Sequence, residues 1–191
     1  MKKHYLGYVL VGSLFFTVAC QPKSEESSSA ETQEQAAEKP AEQRPSPLMT
    51  AEGQASGKSI KVHYGSPSVK GRTIWGDLVP YNVVWRTGAN EAAELTLYTD
   101  MKLGDTNVKA GTYTFYVIPG DTTWTAIISS DLNVWGSYFY KEANDVARLS
   151  VPVSTGEESL EAFSIAFKKS DDGVHMHLGW GTTRVAVPFT K

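Results

Sequence analysis

The run Ala110-Gly-Thr-Tyr-Thr-Phe-Tyr-Val-Ile-Pro-Gly-Asp-Thr-Thr-Trp-Thr-Ala-Ile-Ile128 reads as a β-hairpin. Tyr113, Phe115 and Val117 alternate with Thr112, Thr114 and Tyr116, and after Pro119-Gly120 the same period of two resumes at Trp124, Ala126 and Ile128. In an extended chain successive side chains point to opposite faces, so this alternation predicts two half-buried strands joined by a turn. The pattern continues outward in both directions. Ile60, Val62 and Tyr64 alternate with Lys61 and His63, and Leu95 and Leu97 with Glu94 and Thr96. Downstream, β-branched and aromatic runs occupy Val146 to Val153, Phe163 to Phe167, Val174 to Trp180 and Val185 to Phe189. Gly104-Asp105 and Asp171-Asp172-Gly173 supply residues suited to tight turns. Only Lys141 to Val146 and Leu160-Glu161-Ala162 leave room for a helical turn. Eight or nine such strands predict an all-β domain, a single antiparallel β-sandwich of jelly-roll-like form.

The amino end has a different character. Met1-Lys2-Lys3-His4 precedes an apolar stretch from Tyr5 to Ala19, which reads as an export signal too short for a comfortable bilayer crossing. Thr17-Val18-Ala19-Cys20 resembles the lipobox of bacterial lipoproteins, with Thr17 where Leu is usual. The expectation is a signal peptide over 1–19 and a lipid anchor on Cys20, the only cysteine of the chain. A lone cysteine has no internal disulfide partner. Residues 20–47 are rich in Glu, Ser, Ala, Gln and Pro with no apolar period, which predicts a disordered tether spanning about 30 Å. The β-domain then occupies 48–191. Gln21 after the cysteine points to the outer membrane and leaves the leaflet open. Once Lys2 and Lys3 are removed with the signal, 16 basic residues face 21 acidic ones, which argues against a nucleic-acid partner.

The least strand-like stretch of the domain is Ser66 to Asn90, SPSVKGRTIWGDLVPYNVVWRTGAN. Its P-S-V-K-G-R, W-G-x-L-V-P-Y and V-W-R-T-G-A-N segments, with Ala110-Gly111-Thr112-Tyr113 and Ile118-Pro119-Gly120 further on, resemble the hallmark of a bacterial family known as domain of unknown function 2911. The resemblance runs from about residue 47 to the C-terminus and implies no activity. On their own chemistry, Trp75, Tyr81 and Trp85 offer flat faces, Lys70, Arg72 and Arg86 offer donors for carboxylate or phosphate oxygens, and Asn90 adds a neutral amide. These seven residues are the candidate ligand site, with Arg86, at the end of Val83-Val84-Trp85, the foremost charge. The structural alternative makes Trp75 and Trp85 core anchors and pairs Arg72 or Arg86 with Asp77, Glu91 or Glu94. A second aromatic cluster, Trp135-Gly136-Ser137-Tyr138-Phe139-Tyr140, either caps one end of the sandwich or leaves rings exposed as a platform.

Catalytic signatures are missing. The chain has no G-x-S-x-G elbow, H-E-x-x-H pair, phosphate loop or dinucleotide fingerprint, and no residue is assigned a catalytic role. His175-x-His177 would place two imidazoles on one strand face, with His63 as a third ligand if its strand were adjacent. That set would take zinc and support a metal-dependent hydrolase; no cofactor is otherwise expected. The leading expectation is a lipid-anchored envelope protein binding a small polar ligand or glycan. The alternative is an assembly lipoprotein that docks another envelope protein. A concave site with converging polar groups favours the first, and a flat apolar patch the second.

Overall fold

The computed structural model describes residues 44–55 and 57–190; the expected signal segment and Cys20 lie outside them. Nine strands form: β1 (Leu48–Ala55), β2 (Lys58–Gly65), β3 (Ala93–Leu97), β4 (Met101–Leu103), β5 (Thr106–Val108), β6 (Gly111–Ile118), β7 (Thr123–Ser129), β8 (Asp145–Lys169) and β9 (Gly173–Thr190). All pairings are antiparallel, in the order β1-β2-β3-β6-β7-β8-β9-β4-β5. The all-β expectation holds, and a single 3-10 turn at Glu142–Asn144 is the helical element of the described residues.

The alternating residues go where period two sends them. Ile60, Val62, Ala93, Leu95, Leu97, Phe115, Val117, Trp124, Ala126 and Ile128 are all buried in one core. Phe163, Val174, Met176, Leu178, Trp180 and Phe189 enter that same core from the far half of the order. Residues from both ends of the strand order thus share one core, with β8 paired into both halves. Backbone bonds fasten the fold. The chain just after β2 lies along β8, with Val69 N–H donating to the Glu161 carbonyl at 2.7 Å and Phe163 N–H to that of Pro67 at 2.8 Å. Ile165 N–H donates to the Tyr64 hydroxyl at 2.9 Å.

Two differences from the sequence pattern stand out. The runs at 146–153 and 163–167 are one 25-residue strand, and those at 174–180 and 185–189 are one strand of 18. β8 pairs with β7 through its first half and with β9 through its second, so it carries the chain from one side of the fold to the other. Between Thr155 and Leu160 it bulges out of register with β9. Second, Tyr116 and Ile127 sit on the face expected to meet solvent, yet both are fully buried. The 130–141 segment covers them, and with Ala92 they make a small second core against Val84, Val134 and Tyr140.

Candidate ligand-binding site

The 66–90 stretch is pinned at several points. Val69 to Arg72 closes a turn (Arg72 N–H to Val69 O, 3.1 Å) with Lys70 and Gly71 at φ 49° and 69°, the two left-handed positions of a type I′ turn. Trp85 exchanges backbone hydrogen bonds with Val117 of β6 at 2.7 and 3.1 Å, so the stretch adds one rung to the sheet. The Trp85 ring stacks on Trp180 at 6.0 Å and 13°, and Trp75 meets Trp85, Trp124 and Trp180 edge-on at 5.6, 4.7 and 5.9 Å. Rings in such contact contribute beyond their buried area. Trp75 and Trp85 are thus in the core, as the structural alternative has it.

The charged members divide. The Arg72 guanidinium donates to its own turn, Nη2 to Ser68 O at 2.6 Å and Nε to Val69 O at 3.0 Å. Lys70 is exposed at the tip, its backbone N–H bonded to the Glu161 carboxylate at 2.9 Å. Asn90 takes a left-handed conformation (φ 65°), and its carbonyl accepts from Gly136 N–H at 3.0 Å. Tyr81 is half exposed and lies over Gly76. Arg86 differs from all of these. It is half-buried, its Nε is enclosed without a hydrogen-bond partner, and among the described residues its guanidinium makes no hydrogen bond or ion pair. An enclosed donor left without a partner is costly, so the unpartnered Nε of this arginine is informative. Gly136 packs flush on the guanidinium: a Cβ there would stand 3.2 Å from Nη1. Arg86 lines a small concavity of about 160 Å³ with Leu78, Pro80, Val83 and Tyr138. The structure therefore gathers Arg86 and Trp85 with Ser137 and Tyr138 of the second aromatic cluster around this concavity, which Lys70, Arg72 and Trp75 do not line.

That aromatic cluster is exposed for the most part. Trp135, Tyr138 and Phe139 are 56%, 78% and 75% accessible, whereas Tyr140 folds in against Tyr116 at 5.3 Å. The Tyr140 hydroxyl donates to Asp145 at 2.7 Å, which Arg148 also approaches at 3.2 Å. Burial raises the Asp145 pKa above the usual carboxylate value, against the Tyr140 and Arg148 contacts. Burial first, then the Asp131 and Asp145 carboxylates, push the Tyr116 phenol up to about 12.

The 133–139 segment forms a ridge, and on its other side lies a larger cleft of about 470 Å³. Its floor is a row across three strands, with His63 of β2 opposite Glu94 of β3 and Glu94 opposite Thr114 of β6. Glu91 and Trp135 pair by backbone along one wall, and Ala92 N–H bonds Val134 O at 2.9 Å. The other wall is the chain entering β1, from which Arg44 Nη1 reaches Glu91 Oε1 at 2.7 Å. Arg44 falls in the stretch whose composition reads as tether, so sequence reasoning missed it. Glu91 carries an ion pair as the structural alternative allowed, but with Arg44 and not with Arg72 or Arg86.

His63 lines this cleft and shares a hydrogen bond with Thr50 at 2.7 Å. His175 and His177 lie together on β9, ring centres 6.4 Å apart, and burial, then Lys168 and His175, lower the His177 pKa. The three histidines are not brought together, because β2 pairs with β1 and β3 while β9 pairs with β8 and β4. Among the described residues no three of His, Cys, Asp and Glu converge in a way that would hold a metal, and no helix is long and apolar enough to cross a membrane.

No curated protein matches this chain, and no solved structure does. A family model described as protein of unknown function (DUF2911) matches residues 46–189, a span that takes in Arg86, the small concavity and the larger cleft apart from Arg44. The chain belongs to that family.

Proposed function

We propose that this protein is a lipid-anchored binding module of the cell envelope, tethered through Cys20, that holds the anionic group of a small polar ligand or glycan on Arg86. The observation that carries the reading is the half-buried Arg86 guanidinium, unpaired among the described residues, in a concavity rimmed by exposed Tyr138. A volume of about 160 Å³ suits one carboxylate, phosphate or sulfate, with the rest of the ligand lying over the exposed rings of the ridge. Arginine's planar fork takes such oxygens in pairs, and aromatic faces suit the apolar side of a sugar. A thermal-shift panel of uronic acids, organic acids and sugar phosphates on the full chain tests this. Ligand at a hundred times its Kd adds about 2.7 kcal/mol, a midpoint rise of several degrees. Arg86→Ala is expected to abolish that rise while leaving the unliganded midpoint nearly unchanged. A large drop in the unliganded midpoint would make Arg86 structural and sink the reading.

A second reading, docking of another envelope protein, draws on the exposure of Leu132, Trp135, Tyr138 and Phe139 along one ridge. Under it, Tyr138→Ser with Phe139→Ser releases a co-purifying partner, and the anion panel is silent for every variant.

A further inference from the structure

We infer that the larger cleft is a cation site, selective for a guanidinium or alkylammonium group, and that Arg44 occupies it in cis as a displaceable latch. This is independent of the Arg86 reading. Three features of the cleft point the same way. Its carboxylates are Glu91 and Glu94, the latter opposite His63, and Arg44 is the sole lysine or arginine among the described lining residues. A guanidinium is already seated there. The Arg44 side chain is only 13% exposed, and its Nη1 lies 2.7 Å from Glu91 Oε1. The second Glu91 oxygen, Oε2, is enclosed and accepts no hydrogen bond. A carboxylate of this kind can take two parallel N–H donors from one guanidinium, so the Arg44 contact leaves half of the carboxylate's fork unused. A diffusible guanidinium that takes the place of Arg44 can bond Oε1 and, by entering deeper than Arg44 does, Oε2 as well. Trp135, 56% exposed, stands at the rim, where an aromatic face adds attraction for a cation.

The latch is built to stay near and yet come away. Arg44 is followed by Pro45-Ser46-Pro47, and the Pro47 carbonyl is fixed by Ser66 N–H at 2.8 Å. Two prolines in three residues restrict the backbone that presents the arginine, which holds its local concentration high at small entropic cost. No sheet hydrogen bond begins until β1, so withdrawing Arg44 breaks no strand pairing.

Agmatine is the discriminating probe, since it carries a guanidinium and an ammonium but no anionic group for Arg86. Calorimetric titration of the full chain is expected to show weak binding by the unmodified protein. Arg44→Gln should bind about tenfold tighter, the gain expected if the latch is closed about nine-tenths of the time. Glu91→Gln, which preserves shape, should lose binding with or without the Arg44 change. In the unmodified chain, NMR of ¹⁵N-labelled arginine side chains should show the Arg44 signal moving to its free position as agmatine is added. Equal affinity for unmodified and Arg44→Gln protein overturns the latch, as does saturation without movement of the Arg44 signal. Undiminished binding by Glu91→Gln, or no binding by any variant at millimolar agmatine, overturns the cation site. None of these outcomes bears on Arg86, whose test uses anions.

Discussion

A methyl group on Gly65 would stand 2.1 Å from the Ala89 carbonyl oxygen, and one on Gly88 would stand 2.6 Å from the Gly65 carbonyl oxygen. Here the end of β2 and the close of the 66–90 stretch touch backbone to backbone, with Ala89 N–H bonded to Gly65 O at 3.2 Å. Gly65→Ala must push the two chains apart and is expected to cost about 3 kcal/mol in urea unfolding. A second prediction concerns Asp145, whose side chain is only 7% exposed and whose Oδ1 has no hydrogen-bond partner. Its folded pKa lies above the value of 3.8 taken for the free group, so the folded state binds the proton more tightly than the unfolded one. Stability from this group is therefore full below about pH 3.8 and is lost as pH rises through the folded pKa. Asp145→Asn should flatten that decline, read as a free-energy difference from the unmodified protein that changes as pH rises above about 3.8. Neither residue was legible in the sequence. Gly65 sits within an ordinary alternating run, and nothing local shows that another backbone approaches it. Arg86 was legible in kind, because a charge directly after Val83-Val84-Trp85 must leave an apolar environment. What lies against it, Gly136 and Tyr138, comes from about fifty residues away.

At the level of elements, the joint between β8 and β9 relies on Arg184. Its guanidinium donates to the carbonyls of Gly181 and Thr183 at 2.8 Å each and of Glu158 at 2.6 Å, stitching the Thr155–Leu160 bulge to the opposite strand. Bonds from a charged donor are the stronger kind, so Arg184→Ala is expected to cost about 2 kcal/mol. Arg184→Lys should recover less than half of it, since a point charge cannot span three acceptors held by a planar fork. Urea titration of the three proteins checks both. The turns of the β4–β5 and β8–β9 hairpins could be read in advance because Gly104-Asp105 and Asp171-Asp172 carry turn chemistry of their own, but the short strands β4 and β5 could not. The continuity of β8 could not. Ser154, Thr155, Glu157, Glu158 and Ser159 are exposed where the strand bulges, so neither face is buried and no alternation is imposed. Such a stretch looks like a loop whether or not it is paired. The burial of Tyr116 was hidden for a related reason: its cover comes from an irregular segment with no period to read.

Across the whole molecule, the family span of 46–189 includes Glu91, Glu94 and Trp135, while Arg44 lies two residues before it. The cleft thus belongs to the matched domain, and the arginine that fills it arrives with the chain leading in. The pairing joins positions 47 residues apart through a stretch whose composition resembles a linker, which is why sequence alone assigned Arg44 to the tether. The tryptophans lend the same architecture a spectroscopic signature. Of five, Trp75, Trp85, Trp124 and Trp180 touch one another inside the core, and Trp135 stands alone at the cleft rim. Indoles in contact couple their electronic transitions, so the quartet should give strong near-ultraviolet dichroism that disappears as the core loosens. Trp135, mostly in water, should emit to the red of the others and respond to whatever enters the cleft. Trp135→Phe is expected to remove the emission change on agmatine addition and leave the dichroism intact, while Trp180→Phe should do the reverse. Folding and occupancy would then be followed at once in an unlabelled chain, each by its own light.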